Sequence, residues 1–263
     1  MKSHVCHSWH ELLEQIVSAV QSLKVSWNSP SAVPFFRGHA STDFKLVPGL
    51  LRPTPKGLWQ TASDERNLYY EFRARGGSLL RTDLTTWDVL FLMQHHGIPT
   101  RLLDWTESVT VALYFALLQA HGDIDIWMLD PYELNKNMVR SHMIRDTEDV
   151  LDVEDLQSDY VGYFIEQKAQ PEWESAIAIY PRRQNPRLAS QSGVFTLHSD
   201  LRPLEQLDIP GMERFTLVAD AVEETIQALD ILGTNEFSLF PDLDGLARLL
   251  RKRFPPQNSE FFT

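Results

Sequence analysis

The sequence predicts an α+β fold: a core of short strands in a mixed or antiparallel sheet, flanked by several helices. Three observations predict it. Apolar residues recur at helical spacing in several separate segments. The strand-like segments are short, and they do not alternate regularly with helices as a doubly wound parallel sheet requires. No Gly-rich phosphate loop of either the G-x-G-x-x-G or the Walker type is present, which disfavours the usual nucleotide folds.

The elements follow in order. Ser8 and Glu11 have the spacing of a capping box, and Trp9, Leu12, Leu13, Ile16, Val17, Val20 and Leu23 follow at helical spacing. Residues 1–29 are therefore expected to be an N-terminal helix packed on the domain. After the break at 28–31, residues 33–37 read as a short strand that Gly38 ends. Residues 40–60, with Pro48, Pro53 and Pro55, read as an ordered loop anchored by Phe44, Leu46, Leu50, Leu51 and Trp59. Helices are expected at 65–75 and 87–95, and Gly97 and Pro99 make a turn. A third helix is expected from about 106–108, carrying Val109, Ala112, Leu113, Phe115 and Ala116. Strands are expected at 123–128, 176–180, 193–198 and 214–218, then helices at 222–232 and 242–254. Residues 146–159 form an acidic run that reads equally well as a surface helix or a loop, and 255–263 read as a polar tail.

Composition narrows the function classes. The 263 residues are 43% hydrophobic and 23% charged, ordinary values for a globular chain. Cys6 is the single cysteine, which excludes an intrachain disulfide framework and a thiolate-based zinc site. No apolar run approaches the roughly 20 residues that cross a bilayer, and the N-terminus lacks a signal-peptide pattern; a cytoplasmic location and no membrane partner are expected. Net charge is −12, which argues against nonspecific DNA binding. The cations gather at Arg37, Arg101, Arg182, Arg183 and 248–253, leaving room for a local arginine-lined anion pocket.

Chemistry concentrates in two places. Phe36-Arg37-Gly38 puts a guanidinium at the end of an apolar strand, where it must be paired or face a pocket. Its partner is Asp104, in a structural ion pair, or a ligand, and the two do not exclude each other. The run 94–106 brings Gln94, His95, His96, Thr100, Arg101, Asp104, Trp105 and Thr106 to a turn between two apolar helices, a density typical of a ligand site. Adjacent histidines point apart on a helix, and the spacing supplies no third ligand, so no metal is expected. Thr106 and Ser108 read as caps of the following helix, with a ligand-binding hydroxyl as the sharper alternative. Gln191, in a polar turn entering a strand, either orients a substrate or ties the turn to backbone.

At these residues the chain resembles the FRG domain family. The resemblance rests on Phe36-Arg37-Gly38, on 46–52, most strongly on 94–116, and on 191–195 and 239–246, so that the domain is expected over 30–254. Family members occur in bacteria and phages, sometimes near defence or toxin systems. The aromatic-Arg-Gly triplet is also similar to that of ADP-ribosyltransferases, which implies a related fold and NAD as substrate. That similarity implies catalytic roles for Arg37, Asp104 and Gln191. It implies ligand contacts from Phe36, Gly38, His95, His96, Thr100, Arg101, Trp105, Thr106 and Ser108. The chain departs from the pattern in carrying uncharged Gln191 and in lacking Ser-Thr-Ser and Glu-x-Glu, so that Asp104, Glu107 or Glu166 would supply the acid. The expectation is an NAD-using ADP-ribosyltransferase or glycohydrolase acting as a bacterial toxin or phage-defence effector on an unidentified acceptor. The alternatives are a sensor that binds a nucleotide or nucleic-acid end without chemistry, and a structural network of Arg37, Arg101 and Asp104.

Overall fold

The chain opens on a strand and only then on the expected helix. Lys2–Cys6 forms β1 and Trp9–Ser26 forms α1. The sequence reading missed β1 because it is a polar edge strand in which only Cys6 is fully buried. Ser8 caps α1 by accepting from the Glu11 N–H at 3.2 Å. The Glu11 carboxylate accepts from His7, at 2.7 Å, so the capping box is not reciprocal.

In the computed structural model the described residues are 1–55, 57, 62–140, 144–146, 160–167, 173–181 and 186–255. Trp59, Arg182, Arg183, the acidic residues of 147–159 and the tail beyond 255 lie outside them. After α1 come β2 (Phe35–His39), α2 (Ala62–Gly76), α3 (Thr86–His95), β3 (Leu102–Thr106), α4 (Val109–Leu117) and β4 (Ile124–Leu129). There follow α5 (Pro131–Val139), β5 (Arg145–Asp146), β6 (Ala176–Tyr180), α6 (Pro186–Ser190), β7 (Gly193–His198) and β8 (Glu213–Leu217). The described chain ends with α7 (Val222–Ile231), α8 (Glu236–Leu239) and α9 (Leu243–Arg253). No helix among the described residues is long and apolar enough to cross a membrane.

The fold is α+β around one mixed sheet of order β1-β8-β4-β2-β3-β7-β6-β5. The β1–β8 and β5–β6 pairs are parallel and the other five are antiparallel. Two sequence expectations need correction here. Gly38 does not end its strand, since β2 continues to His39. The turn at 96–101 does not join two helices directly, because β3 intervenes. Leu102, Leu103, Trp105 and Thr106 are all buried, so the central strand shows no in–out alternation from which it could be read.

Period-2 alternation sorts the side chains into two layers. On one face Phe36, Ile124, Ile126, Met128, Phe215 and Leu217 pack with α1, α4 and α7. Beside them, on the same face, Leu102, Ile177, Ile179, Phe195 and Leu197 pack with α2 and α3. Arg101 pins this second part. Its Nε donates to the Glu65 carboxylate at 2.8 Å, and its guanidinium lies 4.6 Å from the Phe164 ring centre. The other face carries Phe35, Leu103, Trp105, Trp127, Val194 and Ala178 under Leu134 of α5 and the loop residues Leu46, Leu204 and Ile209.

Gly38 sets the distance between α4 and the sheet. A Cβ there would lie 1.9 Å from the Ala112 carbonyl oxygen and 2.9 Å from the Ala116 Cβ. The helix would have to lift, and overpacking a close contact costs about 1–3 kcal/mol or more. We expect Gly38→Ala to lower the melting temperature by about 5–10 °C, since about 1 kcal/mol moves a chain of this size by roughly 2–4 °C. Gly97 is a contrasting position: its φ of +75° requires glycine, yet nothing lies within 4 Å of an added Cβ. Gly97→Ala should cost only the left-handed backbone penalty of about 1–2 kcal/mol. Thermal denaturation of both variants checks the ordering.

Two buried histidines sit on the face opposite α4. Burial first, then the Arg37, Arg52 and Arg214 cations, push His39 down to about 3. Burial first, with Arg101 and Arg37 adding and Asp200 opposing, likewise holds His198 at about 3. Both folded values lie below the unfolded value of 6.5, so the unfolded chain binds more protons. The neutral histidines cost nothing above about pH 6.5, and stability is lost as pH falls from there towards 3. The two together should contribute a slope of about 2.7 kcal/mol per pH unit near pH 4–5. Urea unfolding across pH 4–7 should show that slope, with His198→Gln removing about half of the contribution; an unchanged slope in the variant would refute the assignment.

Candidate functional site

A single residue pair, Phe36 opposite Thr106, joins β2 to β3. Each strand is otherwise paired only to its outer neighbour, β4 or β7. Arg37 bridges this short seam. Its Nη1 donates to the backbone carbonyl of Asp104, and its Nε donates to His39 Nε2 at 3.1 Å. The guanidinium thus takes up a carbonyl that strand pairing leaves over.

A cleft of about 300 Å³ opens above the seam on the α4 face. Its floor is Phe36, Arg37 and Gly38 from β2, Asp104, Trp105 and Thr106 from β3, and Gly193 and Phe195 from β7. Val111, Ala112 and Phe115 of α4 form one wall, and Phe91, Gln94 and His95 of α3 form the other. Arg187 and Leu188 of α6, with Gln191, close the rim.

The polar groups are held in a defined order. Gln94 Nε2 donates to Asp104 Oδ2 at 2.7 Å, while Gln94 Oε1 accepts from the Thr100 hydroxyl at 2.6 Å. Thr100 is itself fixed by accepting the Leu102 N–H at 3.1 Å. This relay aims the Asp104 carboxylate, which is solvent-exposed and has no ion-pair partner among the described residues. Burial lowers Arg37 to about 10, opposed by Asp104 and reinforced by Arg52, so it stays protonated at neutral pH. Burial also lowers Arg52 and Arg187, and Asp104 opposes the shift in each. His95 is lowered by burial, then by Arg187 and His96, and is neutral at pH 7.

The structure brings Arg37, Asp104, Gln191, Phe36, Gly38, His95, Trp105 and Thr106 to one cleft. Several serve as framework. The Thr106 hydroxyl donates to the Gln191 carbonyl at 2.7 Å and accepts the Ser108 N–H at 3.0 Å. The Gln191 side-chain amide donates to the Leu239 carbonyl at 3.1 Å, as the backbone-tie reading had it. Trp105 is 3% exposed, with its indole N–H on Thr196 Oγ1 at 3.0 Å, so it offers no stacking surface. Phe91 and Phe115 are the partly exposed rings of the cleft.

Four expected contacts fall elsewhere. His96 is exposed at the C-terminal cap of α3. Thr100 is buried and acts only through Gln94. Arg101 is committed to Glu65, a partner 36 positions away that local sequence gives no means of finding. Ser108 occupies the cap position of α4, yet its hydroxyl pairs with Thr110 Oγ1 at 3.0 Å and makes no capping bond. Of the alternative acids, Glu107 accepts from Tyr180 and Glu166 from Tyr70, and neither lines the cleft. Sequence reasoning gave no site role to Arg187, Phe91 or Phe115; Phe115 was read only as a core residue of the third helix, and the other two had no local signal beyond their place near the motif residues. Among the described residues no group of three His, Cys, Asp or Glu side chains is placed to hold a metal ion.

Residues 33–123 match the family model of the FRG domain. No curated protein and no solved structure matches the chain. The matched segment contains β2, α3, β3 and α4, which supply Arg37, Gln94, Asp104 and both long walls of the cleft. The chain carries an FRG domain.

Proposed function

We propose that the cleft binds NAD and breaks its nicotinamide–ribose bond, as an ADP-ribosyltransferase or NAD glycohydrolase does. The observation that carries this reading is the charge pattern: an exposed carboxylate, Asp104, set among the guanidinium groups of Arg37 and Arg187 between aromatic walls. NAD offers the complementary pattern, a cationic aromatic ring beside a pyrophosphate. Guanidinium groups suit phosphate oxygens, and Phe91 and Phe115 suit a planar ring. At about 300 Å³ the cleft has room for the nicotinamide-ribose end, with the adenosine end at its mouth.

The chemistry asks little of the protein beyond electrostatics. The bond from the ribose anomeric carbon to the ring nitrogen breaks, its electron pair leaves with nicotinamide, and the ring becomes neutral. Positive charge passes to the ribosyl carbon, where the aimed Asp104 carboxylate stabilises it. The oxygen of water or of an acceptor hydroxyl then bonds to that carbon, and its proton goes to solvent. The effector role in toxin or phage-defence systems rests on the family resemblance alone and depends on this turnover.

A second reading, binding without cleavage, is favoured by one observation. Gln191 is uncharged and its amide is bound to the Leu239 carbonyl, so it provides no second carboxylate to orient an acceptor. The protein then holds a nucleotide as a sensor would.

Incubation with NAD labelled in both the nicotinamide and adenine rings separates these readings. Free nicotinamide is expected, with adenine label either in ADP-ribose or on a macromolecule. Asp104→Asn keeps the acceptor oxygen for Gln94 and removes the charge, and should lower kcat by about 10²–10³ with little change in KM. Arg37→Ala should abolish turnover and, by leaving the Asp104 carbonyl without its donor, lower melting by roughly 2–12 °C. An absence of nicotinamide release in the unaltered chain, with ADP-ribose still bound in calorimetry, would reject cleavage and keep the sensor.

A further inference from the structure

The last helix of the described chain turns its apolar side outward. Helical spacing puts Leu243, Ala247 and Leu250 on one face of α9, and Phe254, at its C-cap, extends that face. Among the described residues, Leu243 is 82%, Leu250 44% and Phe254 71% exposed. The opposite face meets the protein, and it carries a glycine and two cations. A Cβ on Gly245 would lie 1.9 Å from the Phe240 carbonyl oxygen, so the helix backbone itself makes the contact. The Arg248 guanidinium lies 5.2 Å from the Phe240 ring centre, and Lys252 Nζ lies 3.8 Å from the Glu236 carboxylate. Phe240 is also the ring on which Arg187 stacks, at 4.5 Å, so α9 is seated against the rim of the cleft. A contiguous apolar face left in water marks a contact surface.

The charges along α9 say what covers that face. Its N-terminal end carries Asp242 and Asp244, and its C-terminal end carries Arg251, Lys252 and Arg253. Asp244 and Arg251 are seven residues apart, about two helical turns, so both border the same edge of the apolar face. A two-fold axis that lays a second α9 antiparallel across this face keeps edges together and reverses ends. Asp244 of each protomer then meets Arg251 of the other, giving two equivalent ion pairs beside one apolar seam. An anionic membrane surface fits less well. Asp244 borders the face, Arg248 and Lys252 turn away from it, and the net charge of −12 opposes approach. We infer that the outward face of α9 is the contact between two copies of this chain, antiparallel and two-fold symmetric. The inference is independent of what the cleft binds.

Sedimentation velocity of the full chain from about 1 to 300 µM covers the strength of a contact made by one helix from each copy, at the small end of interface sizes. A reversible monomer–dimer equilibrium is expected. Leu250→Glu should weaken it at least about tenfold and, because the side chain is exposed, move the melting of dilute protein by less than about 2 °C. Charge reversal gives the more specific readout. Asp244→Arg and Arg251→Asp, each alone, set like charges opposite one another and should weaken dimerisation by about tenfold or more. An equimolar mixture of these two variants restores both ion pairs in a mixed dimer, and should associate within about threefold of the unaltered chain. A monomer at every concentration, with or without binding to phosphatidylserine vesicles, overturns the proposal. So does self-association that survives Leu250→Glu, or a mixture that associates no better than its components.

Discussion

The short seam between β2 and β3 is the constraint on which the site depends. Strands that share only the Phe36–Thr106 pair leave backbone groups over in the middle of a sheet, and such groups must find partners. Arg37 supplies one, bonding the Asp104 carbonyl through Nη1 while Nε is held by His39. Two nitrogens of this arginine tie the sheet, and the residue is among those that line the cleft. Its neutral histidine partner is part of the arrangement. Protonated His39 could not accept from Nε, and burial, then the surrounding arginines, keep that proton away.

Gly38 is the second half of the same arrangement. By admitting the Ala112 carbonyl against β2, it seats α4 directly beside the seam, so that Phe115 and Val111 wall the cleft at close range. Across the seam α3 is held at the other side, where Thr100, Gln94 and Asp104 form a relay from a buried hydroxyl to an exposed carboxylate. The triplet and the long motif thus meet across one gap in the sheet. Their separation in sequence is bridged by strand pairing, which local pattern alone does not reveal.

What was legible in the sequence follows from how each element is buried. β4, β6, β7 and β8 were readable from apolar runs bounded by breakers, and α1, α3, α4 and α7 from helical spacing and caps. β3 was not, because a strand central to a sheet is buried on both faces and Leu102-Leu103-Asp104-Trp105-Thr106 merges with the apolar helix after it. β1 was hidden for the opposite reason, being polar at an edge. In the site, residues that share a local run were found together, whereas roles set by distant partners were not. Arg101 reads like a ligand contact until Glu65 is placed beside it, and Arg187 reads like loop polarity until Phe240 is placed beneath it.

The same contrast between local and global bears on what the cleft can hold. The chain carries a net charge of −12, which opposes a long polyphosphate backbone laid along its surface. A ligand of a few charges responds instead to the nearest groups, because surface charges more than a Debye length away, about 8 Å at physiological salt, are largely screened. Among the residues lining the cleft the charged ones near Asp104 are Arg37 and Arg187, and Asp242 acts on Arg187 as well. Asp104 then sets a further condition. A purely anionic ligand leaves that carboxylate facing like charge, whereas one with a cationic or charge-developing centre beside its phosphates satisfies both signs at once. On the NAD reading proposed above, the order of charges along a small ligand would decide its fit to the cleft, and net charge would decide only whether a polymer can approach.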